Sequence, residues 1–123
     1  MHFGNRIGVL VEVSSASAEA IETARNIAMH AAATNPSGLD PDDIPRDQVK
    51  RERAVLIEQA EEEGKPAEIT EKIVEGRMRK FFEENTLLWQ SYVRDPEKKV
   101  KDLLSEAAEE ISVHRFVRFE VGS

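Results

Sequence analysis

Apolar positions along the chain change period three times, and each change marks an element. Arg6-Ile7-Gly8-Val9-Leu10-Val11-Glu12-Val13 is β-branched and mostly apolar, which predicts a buried strand. Gly4-Asn5 before it is a turn dipeptide and implies a hairpin whose first strand is Met1, His2 and Phe3. So short a first strand predicts that the parent chain continues upstream. Ser14 to Ser17 offers cap-competent residues, and a helix is expected from about Ala16 to Ala33. Ile21, Ala24, Ile27, Ala28 and Ala31 form its predicted buried face, where small alanines allow close approach to a sheet.

Asn35-Pro36-Ser37-Gly38 ends that helix, and Asp40 to Pro45 is an irregular connection. From about Arg46 to Asn85 the pattern becomes helical twice over, interrupted at Gly64-Lys65-Pro66. There glycine takes a left-handed cap and proline opens a new helix. Val49, Leu56 and Ala60 on the first arm, and Ile69, Ile73 and Phe81 on the second, are narrow apolar stripes. The other faces are Glu, Lys and Arg, so the pair can bury one seam and little more. Residues 46–85 are therefore expected to form a protruding antiparallel hairpin. Two arms of an ordinary helical bundle would give the same periodicity.

Leu87 to Val93 is the most apolar non-helical segment of the second half, followed by an expected turn at Arg94-Asp95-Pro96-Glu97. Val100, Leu103, Leu104 and Ala107 then predict a short amphipathic helix. The tail alternates, with Val117, Phe119 and Val121 on one side and Arg118 and Glu120 on the other. Paired antiparallel with Arg6–Val13, this last strand gives an α+β class: a small antiparallel sheet packed against helices, with a protruding hairpin. No internal repeat or low-complexity tract is present.

Composition narrows the functional classes. The 123 residues suit one domain with a modest core. An excess of 24 acidic over 17 basic residues, net −7, argues against direct nucleic-acid binding. The absence of cysteine removes disulfide and thiolate chemistry and fits a reducing cytosol. No apolar run reaches membrane-spanning length, and the N-terminus has no signal-peptide pattern.

Catalytic chemistry finds no support in these residues. His2, His30 and His114 lie far apart without ligand-spaced partners, which makes a metal site improbable. His30 sits beside an apolar helix face, where a structural, hydrogen-bonded histidine is expected. Glycines never cluster into a phosphate-cradling loop. Glu61-Glu62-Glu63 and Glu83-Glu84 read as solvated helix faces and not as acid–base pairs. The expected class is a binding module without cofactors and not an enzyme.

Four blocks carry a family resemblance: RIGVLVEV at 6–13, NIAMHAAATNP at 26–36, EGKPAEITEKIVEGRMRKFFEE at 63–84 and HRFVRFEVG at 114–122. In content, order and spacing the chain resembles elongation factor Ts, the nucleotide-exchange partner of the GTPase elongation factor Tu. The third block is the most specific. The resemblance implies that residues 46–85 are a coiled-coil arm inserted in a dimerisation (core) subdomain spanning 1–123. Family members also carry an N-terminal helical domain and a TDFV motif whose Asp and Phe wedge into the GTPase. Here the strand instead runs into Ser14-Ser15-Ala16-Ser17.

The chain thus resembles the second, C-terminal core subdomain, which implies docking on domain 3 of elongation factor Tu. The family's contact positions map onto His2 and onto Tyr92, Val93 and Arg94, in the segment usually written QPFV. Ser91 stands where the family's proline presets that loop. Tyr92 and Val93 could instead be core residues under the loop. The resemblance implies a cytoplasmic, bacterial-type translation factor module, with weak or no exchange activity alone. The alternatives are a self-associating module that dimerises through its sheet edge and a scaffold without retained binding.

Overall fold

Two separate hydrophobic clusters, one in a mixed body and one in a helical hairpin, organise the fold. In the computed structural model residues 6–122 are described. The element order is β1 (Arg6–Val13), α1 (Ala18–Thr34), α2 (Arg46–Glu62), α3 (Ala67–Asn85), β2 (Ser91–Tyr92), β3 (Asp95–Lys99), α4 (Val100–Ser105) and β4 (Val113–Val121). The α+β class is as expected. The predicted Gly4-Asn5 hairpin, and His2 with it, lies outside the described residues.

β1 and β4 form an antiparallel ribbon in the register Arg6↔Val121 to Glu12↔Arg115, with an irregularity at Glu12/Val13. Val9, Val11, Val13 and Phe116 pack inward on a cluster of Ile27, Ala31, Leu87, Tyr92, Val100 and Val113. α1 lies against this inner side. Its N-terminus is capped by Ser17, whose Oγ accepts the Ala20 amide at 3.0 Å. Asn35, in the left-handed region at φ 48°, closes its C-terminus.

The buried face of α1 is Ala20, Ile27, His30 and Ala31. Ile21 was expected on that face but is 51% exposed. Ile27, His30 and Ala31 recur at three- and four-residue steps. Ile21 lies off that stripe.

Alternation in β4 identified two sides correctly but did not say which one points inward. The Arg118 side faces the helix: its guanidinium donates to the Ala32 carbonyl at 3.2 Å from Nη2 and 3.4 Å from Nε. Val117, Phe119 and Val121, together with Leu10 of β1, are left on the outer side.

The hairpin is present as predicted, with a left-handed glycine, Gly64 at φ 70°, between its arms. Each arm begins directly after a proline, Pro45 or Pro66. At 19 residues, α3 extends about 28 Å. The seam consists of Leu56, Ala60, Val74 and Met78, flanked by Val49, Ile73, Phe81 and Phe82. Ile69, expected in the stripe, is 46% exposed near the turn. Arg77 to Glu63 at 2.9 Å, and Arg53 to Glu75, cross between the arms. These exposed pairs add little beyond setting the register.

The foot of the hairpin is fastened to the body by main chain. Ser37 N donates to Asn85 O, Leu87 N to Gly38 O and Leu88 N to Leu39 O, all within 3.0 Å. Thr86 is fully buried at this junction and caps α3 through Phe82 O.

The segment expected as a turn at 94–97 is largely strand. β3 runs Asp95–Lys99 and pairs with β2 around a tight turn at Val93-Arg94. The helix that follows is shorter than predicted, covering Val100–Ser105. At its start Asp102 reaches back and its carboxylate accepts the Lys99 amide at 2.8 Å.

Candidate partner-binding surface

The β2–β3 hairpin presents a two-residue turn to solvent while its base is anchored in the core. Tyr92 is 6% exposed and packs in the body cluster, its ring 5.8 Å from that of His30. The next residue, Val93, is 47% exposed, an apolar side chain held in water. Arg94 is also exposed and reaches Asn26 of α1, with Nη1 3.5 Å from Oδ1. Of the positions implied by the family resemblance, Val93 and Arg94 form the surface and Tyr92 is the post beneath it. His2 lies outside the described residues.

Sequence reasoning did not foresee how this turn is supported. Without the family's proline at position 91, the conformation is held by side chains. Gln90 is buried, and its Nε2 donates to the Glu84 carbonyl at the end of α3, 2.9 Å away. That bond orients the amide, so Oε1 faces His30 Nε2 at 2.8 Å. The opposite ring nitrogen, Nδ1, accepts the Val93 amide at 3.2 Å. Thr34 Oγ1 lies 2.9 Å from Gln90 Oε1 and 2.9 Å from the His30 carbonyl. Every described buried side-chain N or O atom has a partner. His30 is thus a hydrogen-bonded structural histidine, as the sequence suggested. Burial pushes its pKa below the ordinary value, and the Gln90 bond partly opposes this.

Charged groups border the base of the hairpin, at the end away from the turn. Lys99 Nζ donates to Glu83 at 2.8 Å, and Lys98 pairs with Glu106 at 3.0 Å. The Lys99 bond, and secondarily its charge, hold the Glu83 carboxyl below the usual range, while the Glu106 bond raises Lys98. Trp89 lies beside both Lys99 and Lys101, with ring-centre distances of 5.7 and 5.3 Å. Among the described residues no three His, Cys, Asp or Glu side chains are grouped to hold a metal. No described helix is long and apolar enough to cross a membrane.

The corner after β1 is closed. Ser15 and Ser17 both donate their hydroxyls to Glu109, and Ala108 N donates to Glu19 at 3.1 Å. Ser14 and Ser112 exchange two further bonds of 2.9 Å.

The family model described as elongation factor TS matches residues 1–123. The chain belongs to the elongation factor Ts family. This agrees with the resemblance in its sequence blocks. The elongation factor Ts of Syntrophobacter fumaroxidans is 52% identical over 133 residues, covering 100% of this chain and 66% of that protein. That of Caldanaerobacter subterraneus subsp. tengcongensis is 46% identical over 132 residues, 99% of this chain and 66% of the relative. With the elongation factor Ts of Alkalilimnicola ehrlichii the identity is 46% over 119 residues, 97% of this chain but 39% of the relative. The chain therefore spans just under two thirds of the shorter relatives and well under half of the longer one.

Proposed function

We propose that this chain is the core subdomain, with inserted arm, through which an elongation factor Ts docks on domain 3 of elongation factor Tu in the cytoplasm. The observation that carries the reading is the Val93-Arg94 turn: an exposed apolar side chain and a cation, held from below by Tyr92, His30 and Gln90. A rigid, presented anchor loses little freedom on binding, and such anchors supply most interface energy. His2 is assigned to the same surface on the strength of the family's contact positions. The chain binds without performing chemistry of its own.

Titration calorimetry with elongation factor Tu tests this. The double variant Val93→Ala, Arg94→Ala should lose affinity by at least about tenfold, the usual consequence of truncating an anchor. Its melting temperature should not change, because both side chains point outward. Unchanged affinity would remove the site.

Exchange activity by this chain alone is expected to be weak or absent. The stapled Ser14–Ser17 corner has no Asp–Phe wedge, and docking on domain 3 stabilises both nucleotide states alike.

A second reading, self-association, is supported by the outer side of the ribbon. Leu10, Val117, Phe119 and Val121 are between 45% and 65% exposed on one face of a two-stranded sheet. Two copies packed face to face would cover these rows. Light scattering across a concentration series separates monomer from dimer, and Phe119→Ser should shift the balance to monomer.

A further inference from the structure

The bonds around His30 determine its protonation state without reference to titration. Gln90 Nε2 donates to the Glu84 carbonyl, so Oε1, which can only accept, is the atom facing the imidazole. His30 Nε2 must therefore carry the hydrogen of that 2.8 Å bond. In a neutral ring Nδ1 is then a bare lone pair, which is what the Val93 amide requires at 3.2 Å. A second proton would have to sit on Nδ1, pointing at an N–H. The imidazolium and the observed turn exclude one another.

We propose that His30 and Gln90 are positioning residues that hold the Val93-Arg94 turn in its docking shape only while the imidazole is neutral, so that protonation releases the turn. Its importance for binding rests on the docking role given to that turn above; the joint itself does not. Three elements meet there: α1 through His30 and Thr34, the foot of the arm through the Glu84 carbonyl, and the β2–β3 hairpin through Val93. Release at Nδ1 leaves the Gln90 bonds to Thr34 and Glu84 in place, so the change is confined to the turn.

The charged and titratable groups on the surrounding elements do not substitute for Gln90. The Tyr92 phenol ring from β2 stands 5.8 Å away. Arg94 of the turn is engaged with Asn26, and Glu83 of α3 with Lys99 of β3. Glu84 bonds Gln90 through its carbonyl, while Asp95 begins β3 just beyond the turn. No carboxylate bonds the imidazole to stabilise a positive charge. Burial lowers the folded-state value, so stability from the neutral ring is complete above the unfolded value of 6.5 and is lost as pH falls below it. Release therefore belongs to mildly acidic solution.

Nuclear magnetic resonance of the nitrogen-labelled chain between about pH 5 and 8, spanning the ordinary histidine value, tests the proposal. His30 Nδ1 should pass from the bare to the protonated shift at a midpoint below 6.5. The Val93 and Arg94 amides should move with the same midpoint, and Val93 exchange with water should rise about tenfold, as expected for one lost hydrogen bond. In His30→Gln, which offers an amide donor and acceptor but no titration, Val93 should be flat with pH. If that variant does not fold, the wild-type series decides alone. Val93 and Arg94 amides that stay still while His30 titrates overturn the proposal, as does unfolding of the whole chain at that midpoint. Affinity for elongation factor Tu, measured over the same range, should fall with the same midpoint. A turn that titrates while affinity stays flat would support the joint and overturn the docking role of Val93-Arg94.

Discussion

The Phe119 ring covers the backbone of Gly8: a Cβ built on Gly8 would meet the ring at 2.3 Å. The two residues are register partners on the outer face of the β1–β4 ribbon. Only glycine allows this approach, although the ring is 48% exposed and has solvent to move into. Gly8→Ala should therefore swing the ring outward and not unfold the chain. The stability change should stay within about 1 kcal/mol, since alanine also restricts the unfolded chain. Phe119 ring shifts would report the move, and a loss of several kcal/mol would show that the ring is locked.

Met78→Ala should weaken the hairpin in preference to the body. Met78 is 1% exposed in a seam containing only Leu56, Ala60 and Val74 as other buried members. Truncating such a residue costs about 2–5 kcal/mol. The loss should appear in hydrogen exchange as early opening of α2 and α3, while the amides of β1 and β4 keep their protection. Equal loss in both regions would mean that the two clusters fold as one.

Acid titration should show Glu83, like Asp47 and Glu63, depressed by its cationic partner. Its carboxyl is held below the ordinary 4.5, first by the Lys99 hydrogen bond and then by charge. A depressed folded value means the contribution is present above the unfolded value and lost as pH falls through the folded one. Carboxyl carbon shifts should place its midpoint below 4.5, and Lys99→Met should return it toward that value. Both side chains remain 36% exposed, so the stability change should be under about 1 kcal/mol.

Release of fluorescent GDP from elongation factor Tu should stay within about twofold of the spontaneous rate at saturating chain, because equal affinity for both states shifts nothing. Stimulation comparable to an intact elongation factor Ts would assign exchange to the arm or the docking turn.

The hairpin was legible in the sequence because a lone helical pair buries only one seam, and that seam repeats at helical spacing. Its exact members were less so: Val74 and Met78 are the buried residues of the second arm, with the expected Ile73 and Phe81 packed beside them and the expected Ile69 exposed. β3 was missed because Asp95-Pro96-Glu97-Lys98-Lys99 has no strand propensity; its pairing is imposed by the anchored Tyr92 and the turn bound to His30. The ribbon's inner face could not be chosen from alternation in β4, because its more apolar row, Val117, Phe119 and Val121, is the outer one. The choice rests on long-range contacts, notably that of Arg118 with Ala32, which no local pattern contains. Val93 and Arg94 were reached by family resemblance, while Gln90, the first residue of the same QPFV-like segment, was given no role. It is a polar residue in a largely apolar run, and its importance comes from His30 and Thr34, both distant in sequence, and from the Glu84 carbonyl.

The pairing of β1 with β4 has a consequence for how the chain is made. Glu12 and Arg115 bond across the ribbon from positions 103 residues apart. On a ribosome β1 emerges before the hairpin, and it must wait for that whole insertion and for α4 before its partner exists. The hairpin needs no such wait: its arms adjoin in sequence and close over a short turn. Synthesis should thus yield a folded arm attached to an unsealed body, with the apolar strand β1 exposed until β4 arrives. During that interval β1 is the natural target for a chaperone. Slowing translation across Ile111–Val121 should lengthen it.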